Sequence, residues 1–176
     1  MADPTSDMVV MGVDPGLAAL GWGVLRYTHG RPVYVAHGAF HTPAGGDEWD
    51  RAKAQIENLR EVSERHAVTV IGIEGWGFYR DCVPVEAHRI GLVMGGILGF
   101  PTLTLRAGLA AEWRTSIGLP AHCSKADVQT YLQRILRLPK KPTPQHASDA
   151  LAIALATFPQ AVGRARTVPR KDPRSP

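Results

Sequence analysis

The pattern of apolar and polar residues divides most of the chain into alternating strand-like and helix-like segments. Residues 8–13 form a nearly continuous apolar run closed by an Asp-Pro-Gly turn sequence, which predicts a buried strand. Residues 21–27 and 31–42 are rich in Val, Tyr, Trp and Phe on either side of a short connection, which predicts a β-hairpin. In residues 47–66 apolar side chains recur every three to four positions, which predicts an amphipathic helix.

The second half of the chain continues this alternation. Residues 68–73 predict another buried strand and residues 102–105 a short one, whereas helices are predicted over 84–99, 124–138 and 144–158. The order is therefore three strands, then helix, strand, helix, strand and two helices. This order predicts a mixed α/β layer architecture.

Local signals mark the helix ends. Ser124, with Asp127 three residues later, resembles a capping box. Thr143 is expected to cap the last helix, with Pro144 in its first position, and the Pro- and Arg-rich stretch from Pro159 is expected to be a tail. We therefore divide the chain into an N-terminal arm (1–7), one domain (8–158) and a basic tail (159–176).

A glycine stripe is predicted on the helix over residues 84–99. Gly91, Gly95 and Gly99 recur at four-residue spacing, so they share one flat face. Such a face favours close packing in the core, and the alternative is an interface between subunits.

Composition narrows the class of protein. The chain has 176 residues, of which 44% are hydrophobic and 20% charged, as expected for one globular domain with a real core. The longest apolar run is far shorter than a membrane span, and the N-terminus lacks a signal pattern, so we expect a soluble, cytoplasmic protein. The two cysteines, Cys82 and Cys123, are too few for a disulfide scaffold and are expected to be reduced thiols in the core.

Charge is unevenly distributed along the chain. The formal net charge is +4, and residues 164–176 alone carry five basic residues and one acid. Residues 1–74 are net acidic, whereas residues 75–163 are net basic. This asymmetry is compatible with a polyanion-binding face beside a cluster of carboxylates.

Four residues form a candidate catalytic cluster. Asp14 and Glu74 each follow an apolar strand, and His146 and Asp149 are three residues apart, hence on one face of the last helix. If this helix packs beside the two strand ends, three carboxylates and one imidazole converge. Carboxylates crowded together require a compensating cation, and hard oxygen ligands favour magnesium or manganese.

The joint order of these elements resembles the RuvC family of Holliday-junction resolvases. The resemblance lies in GVDPGLAALGWGV, IGIEGWGFYR and KADVQTYLQRILRLPKKPTPQHASDALAIALATF, and spans about residues 8–158. It implies an RNase H-like fold, with a central mixed five-stranded sheet flanked by helices. It also implies that Asp14, Glu74, His146 and Asp149 are the catalytic, metal-binding residues.

The resemblance implies a structure-selective endodeoxyribonuclease acting in recombination and repair. Two divalent ions, Mg²⁺ or Mn²⁺, would activate a water and neutralise the leaving 3′-oxygen. The expected partners are four-way junction DNA, a second copy of the chain and a branch-migration helicase complex, with no membrane. For His146, nearby cations and the helix N-terminus are expected to lower its proton affinity.

Five residues are expected to contact DNA by the same resemblance. Phe78, Tyr79 and Arg80 lie in the loop that approaches the junction centre in such enzymes, and Arg114 and Lys125 match phosphate-contacting positions. Gly75 and Gly77 depart from the family pattern, in which a polar residue and an aromatic are typical. This departure affects the expected recognition of the junction more than the metal chemistry.

Other functions share some of these features. A related nuclease acting on RNA or an RNA–DNA hybrid would use the same four residues, and a junction-binding protein with little cleavage is conceivable because of the altered loop. A sugar kinase also begins with a strand ending in Asp-x-Gly, but it needs about twice this length. Substrate preference separates the RNA-directed nuclease from junction resolution, and the intact set of acidic residues argues against a protein that only binds junctions.

Overall fold

The computed structural model describes residues 8–75 and 84–167, and within them five strands form one mixed sheet. The strand order is β3-β2-β1-β4-β5. The first three strands pair antiparallel as a meander, and β4 and β5 continue the sheet parallel to β1. The strands are β1 (Met8–Asp14), β2 (Ala19–Thr28), β3 (Arg31–His41), β4 (Val70–Glu74) and β5 (Leu103–Gly108). This confirms the predicted fold class.

Helices cover both faces of the sheet, and each face has its own hydrophobic core. On one face α1 and α2 pack against side chains such as Met11 and Ile71, and on the other α5, α4 and α3 pack against side chains such as Val10 and Leu105. The helices are α1 (Glu48–Arg65), α2 (Pro84–Leu98), α3 (Ala110–Ser116), α4 (Lys125–Ile135) and α5 (Gln145–Thr167). Among residues 8–75 and 84–167, no helix combines the length and the apolar character that a membrane span needs.

A row of glycines lets α5 lie directly on the sheet. Gly12 pairs with Gly23 on one side and with Gly72 on the other, so the three stand side by side across β2, β1 and β4. A Cβ atom added at Gly12 would collide with the backbone of α5, and one added at Gly72 would collide with Thr157. Because these three residues have no side chains, the backbone of α5 approaches the strands closely, and this close contact fixes the position of the helix.

Three features of the helices differ from the predictions. Helix α3 was not predicted. Helix α4 ends at Ile135 rather than at 138, and the predicted end of α5 at 158 is wrong because the helix continues through Pro159 to Thr167. The buried apolar face includes Phe158, which stacks on Tyr27 just before the proline, and continues past it to Ala161, which is fully buried. The loss of one backbone hydrogen bond at proline is thus outweighed by packing.

The start of α5 also differs from the prediction. The carbonyl of Pro144 accepts hydrogen bonds from the backbone N–H groups of Ala147 and Ser148, so Pro144 precedes the helix instead of occupying its first turn. The carbonyl of Thr143 accepts from His37 Nε2 at 3.1 Å, and this residue does not cap the helix. By contrast, the predicted capping box of Ser124 and Asp127 is present at the start of α4.

The glycine stripe of α2 does not pack in the core. A Cβ atom added at Gly91 or Gly95 would meet nothing within 4 Å, whereas one added at Gly96 would collide with Ile56 of α1. Gly96 therefore makes the close helix–helix contact, and the face containing Gly91 and Gly95 is open in the single chain. Of the two thiols, Cys123 is a half-buried free cysteine against the core, and Cys82 lies outside the described residues.

Candidate active site

The four predicted catalytic residues lie at one edge of the sheet. Asp14 ends β1 and Glu74 ends β4, and because these neighbouring strands run parallel, both carboxylates reach the same edge. His146 and Asp149 stand in the first turns of α5, which packs across that edge.

A direct hydrogen bond joins the strand and helix parts of the site. His146 Nδ1 lies 2.7 Å from Asp14 Oδ2. Gly21 pairs with Asp14 in the sheet, and a Cβ atom at Gly21 would collide with the His146 carbonyl group. The absence of a side chain at Gly21 therefore sets how closely the imidazole approaches Asp14, a role that the sequence analysis missed.

Asp149 is the most deeply placed acid of the cluster. Its relative exposure is 6%, and its Oδ1 is buried without a hydrogen-bond partner among the described residues. Its Oδ2 lies 3.6 Å from Lys125 Nζ. Burial and the nearby charge of Asp14 raise the pKa of Asp149, and the cations Lys125 and Arg114 partly offset that rise.

The surroundings of Glu74 disfavour the ionised form of its carboxyl group. Burial, followed by the negative charge of Asp14, raises the pKa of Glu74 from 4.5 to about 7. The indole N–H of Trp113 lies beside this carboxyl group without a hydrogen bond of standard geometry among the described residues, and it offsets the rise in part. Trp113 was not predicted as a site residue because it belongs to the unpredicted helix α3.

The sequence analysis expected a lowered proton affinity for His146, but the surrounding residues of the protein raise its pKa. The hydrogen bond that Asp14 accepts from the imidazole is the largest influence and raises the pKa of His146 above 6.5, while burial and Lys125 act in the lowering direction. The direct contact with Asp14 and the negative charges of Asp14 and Asp149 together outweigh burial and the charge of Lys125.

Comparisons with known proteins agree on one family. A sequence model described as crossover junction endodeoxyribonuclease RuvC matches residues 10–100 and 101–157. The chain belongs to the RuvC family. The crossover junction endodeoxyribonuclease RuvC of Synechococcus sp. (strain RCC307) is 31% identical over 162 residues, covering 86% of this chain and 98% of the relative.

Solved RuvC structures share the fold of this family member. RuvC of T. thermophilus in complex with Holliday junction substrate aligns with a TM-score of 0.73 and 26% identity, covering 88% of this chain and 95% of that one. The yeast mitochondrial Holliday junction resolvase aligns with a TM-score of 0.59 and 13% identity, a likeness of fold alone. The RNase H-like architecture expected from the resemblance to RuvC is therefore confirmed.

RuvC nucleases are metal-dependent, and the chemistry of this cluster fits a divalent ion. The negative charge of Asp14 raises the pKa of Glu74 and of Asp149, and the buried Oδ1 of Asp149 has no hydrogen-bond partner among the described residues. A bound cation would relieve both conditions. Within the described part of the chain, no three acidic, histidine or cysteine side chains stand so that they could hold a metal ion together. Here His146 instead bonds Asp14 and Lys125 pairs with Asp149, so binding requires these contacts to separate.

The predicted DNA-contacting residues divide into two groups. Arg114 and Lys125 both act electrostatically on Asp149 and so lie at the site. Phe78, Tyr79 and Arg80 lie outside the described residues, as does Gly77.

Gly75 has a neighbour that the sequence did not reveal. A Cβ atom at Gly75 would collide with Nε of Arg106, whose guanidinium group lies across the glycine. The Arg106 guanidinium group, from β5, therefore occupies the space that a side chain at position 75 would need.

Proposed function

We propose that this chain resolves four-way DNA junctions by paired, divalent-metal-dependent nicks. The observation that carries the proposal is the convergence of Asp14, Glu74, His146 and Asp149 at one sheet edge, with two cations beside them, in a chain of the RuvC family. Three closely placed carboxylates destabilise the metal-free site, and this arrangement is expected of residues selected to bind cations.

The four residues would hold Mg²⁺ or Mn²⁺, as two ions. When bound, the metal supplies an activated water and charge neutralisation at the leaving 3′-oxygen. Asp14 lies between the other members, because it bonds His146 and its charge acts on both Glu74 and Asp149. Asp14 would therefore serve both ions, and Glu74 and Asp149 would each hold one of them.

Lys125 and Arg114 would also contact the DNA substrate. Lys125 is exposed and lies 3.6 Å from Asp149, and Arg114 is half-buried against Trp113. Once Lys125 separates from Asp149, its exposed ammonium group would be available for a DNA phosphate. Phe78, Tyr79 and Arg80 are proposed, from the resemblance alone, to contact the junction centre.

A homodimer is the proposed particle, because a four-way junction is two-fold symmetric and needs two nicks. The open face of α2 at Gly91 and Gly95 is the candidate interface. Light scattering at micromolar concentration is expected to give twice the chain mass, and a leucine at Gly91 is expected to shift the particle toward monomer. A monomer with and without junction DNA would contradict this part of the proposal. A branch-migration helicase complex is the proposed further partner.

One assay tests the activity. A synthetic mobile four-way junction, a duplex and an RNA–DNA hybrid are incubated with the protein in Mg²⁺ and in Mn²⁺, and strand cleavage is measured. We expect paired nicks in the junction, with ends that DNA ligase can seal, and little cleavage of the other two. Preferential cleavage of the hybrid would instead identify an RNA-directed nuclease, and binding without cleavage a junction-binding protein.

Matched variants separate catalysis from binding in the same assay. Asp14→Asn and Asp149→Asn are each expected to abolish cleavage while junction binding stays within a few-fold, because phosphate contacts supply most of the affinity. Retained nicking would remove that residue from the catalytic set. Parallel loss of binding would show that the substitution acts on folding.

A further inference from the structure

A groove lined by cations lies on the surface between β3 and the chain that joins α4 to α5. It consists of two adjoining hollows of about 370 and 310 Å³ that share Tyr34. Arg31 and Arg137 line the first, and Lys140 and Lys141 line the second. No carboxylate lines either hollow, and all four cations are exposed. We call this surface the basic groove.

The positive charge of the basic groove is not neutralised by ion pairs. Among residues 8–75 and 84–167, none of its four cations lies within 4.0 Å of an acidic group. Lys141 acts at longer range on Asp127, whose carboxylate already accepts a hydrogen bond from Ser124 Oγ at 2.7 Å. Lys140 acts on the imidazole of His37. A polyanion would therefore meet cations that have no internal partner.

The loop that carries the two lysines is held in place. Gln129 Nε2 donates to the carbonyl of Pro142 at 3.1 Å, and His37 Nε2 lies 3.1 Å from the carbonyl of Thr143. Tyr34 Oη lies 2.9 Å from the other ring nitrogen of His37. If His37 donates to Thr143, its second nitrogen accepts from Tyr34, and one neutral tautomer satisfies both contacts. Because the loop is tethered, less backbone entropy is lost when a ligand binds.

The strand register gives the distance of the basic groove from the catalytic edge. Asp14 pairs with Gly21, and Gly21 pairs with Ala39 of β3. His37 lies two residues from Ala39. Arg31 pairs with Thr28, which lies seven residues from Gly21 along β2, because a bulge adds one residue to β3. At about 3.3 Å per residue, His37 and Arg31 stand about 7 Å and about 23 Å from the catalytic level along the strands. Since B-form DNA rises about 3.4 Å per base pair, these distances correspond to about two and about seven base pairs.

We propose that the basic groove binds the phosphate backbone of one duplex arm of the junction. Lys140 and Lys141 would contact phosphates about two to three nucleotides from the cleaved bond, and Arg31 and Arg137 phosphates about seven to eight nucleotides from it. The inference rests on the proposed function, since it takes junction DNA as the substrate. It assigns to four residues outside the catalytic cluster the role of positioning the arm that is cut.

Salt dependence of binding tests the charge contribution. Junction binding is measured in EDTA at several salt concentrations for Lys140→Gln/Lys141→Gln and for Arg31→Gln/Arg137→Gln. The control is Arg65→Gln, at an exposed position in the last turn of α1. Each neutralised phosphate contact contributes about 0.9 to the slope of log K against log salt, so each pair is expected to flatten the slope by about two. The control is expected to keep the parent slope, and unfolding temperatures should match the parent in all cases.

Neutral backbone linkages test the position. Methylphosphonates are placed two to three or seven to eight nucleotides from the cleaved bond, on either side. Methylphosphonates two to three nucleotides from the cleaved bond (the near patch) are expected to weaken junction binding by the parent but not by the lysine pair variant. Those seven to eight nucleotides away (the far patch) are expected to weaken binding by the parent but not by the arginine pair variant. Parent-like slopes, or the same effect of both patches on every variant, would overturn the inference. A loss of affinity without a change of slope would also overturn it, and would indicate a protein-binding surface.

Failure of this inference and failure of the proposed function are distinguishable. If the parent cuts junctions while both pair variants keep the parent slope, only the role of the basic groove is wrong. If the parent cuts no junction in either metal, the proposed function itself is wrong, whatever the slopes.

Discussion

Replacing Glu74 with glutamine is expected to stabilise the metal-free protein at alkaline pH while abolishing cleavage. An ordinary glutamate with pKa 4.5 ionises in the unfolded chain, whereas burial and the charge of Asp14 raise the pKa of Glu74 in the folded protein to about 7. Between these values the folded state binds more protons than the unfolded state, so stability falls as pH rises. At about 1.36 kcal/mol for each pKa unit, the folded protein loses about 3 kcal/mol by pH 8.

The assay is thermal unfolding in EDTA at pH 5 and at pH 8. For a chain of this length about 1 kcal/mol moves the unfolding temperature by about 2–4 °C, so Glu74→Gln should gain about 6–12 °C at pH 8. At pH 5 the gain should fall to about 1 kcal/mol, because Glu74 is then protonated in the folded parent and only the glutamate of the unfolded chain is ionised. Glu61→Gln, at an exposed position of α1, is the matched control and should change little at either pH.

A second arm of this experiment adds a divalent ion. The ion should stabilise the parent at pH 8 more than Glu74→Gln, because a ligand that binds only the folded state raises its stability and the variant has lost a donor. An unfolding temperature equal to that of the parent at pH 8 in EDTA would refute the argument. It would mean that Glu74 is solvated and that its charge is not a burden on the fold.

Two further predictions concern residues around the cluster. Arg114→Ala and Lys125→Ala should each flatten the slope of log K against log salt for junction binding by about one, and parent-like slopes would return them to ordinary surface charge. Gly21→Ala should slow junction cleavage and cost about 1–3 kcal/mol of stability, because its methyl group would push the first turn of α5 away from the strand. The same substitution at Gly46, where the added methyl group would make only ordinary contact with the Arg51 side chain, should leave cleavage unchanged.

Much of the catalytic cluster could be predicted from the sequence because local patterns fix it. An apolar run that ends in an acid places Asp14 and Glu74 at strand ends, and spacing within a helix places His146 and Asp149 on one face. The packing that brings the strand residues and the helix residues together depends on contacts between segments far apart in the sequence. Gly12, Gly23 and Gly72 form their row only when the three strands pair in the observed register, and this row determines where α5 packs on the sheet.

Other features depend on which surfaces meet in three dimensions. Helix α3 has seven residues and a single buried side chain, Trp113, so its apolar period is too short to detect. The spacing of Gly91 and Gly95 was recognised, but only the contact of Gly96 with Ile56 shows which face of α2 meets α1. The basic groove likewise joins β3 to a loop about a hundred residues later, which no sequence window contains.

His146 offers a test in which protons compete with metal. Its hydrogen bond to Asp14, 2.7 Å long, raises its pKa, and a protonated imidazole cannot bind a cation. Metal activation of the parent should therefore need more Mg²⁺ at pH 6.5 than at pH 8. Glu74 titrates in the same range, so the comparison is with His146→Asp, which keeps Glu74. This variant should retain measurable cleavage, with a weaker pH dependence and an altered preference between Mg²⁺ and Mn²⁺.

His146→Ala should be severely impaired. If His146→Ala cuts junctions at the parent rate in both metals, the imidazole only orients Asp14, and the catalytic set consists of the three carboxylates.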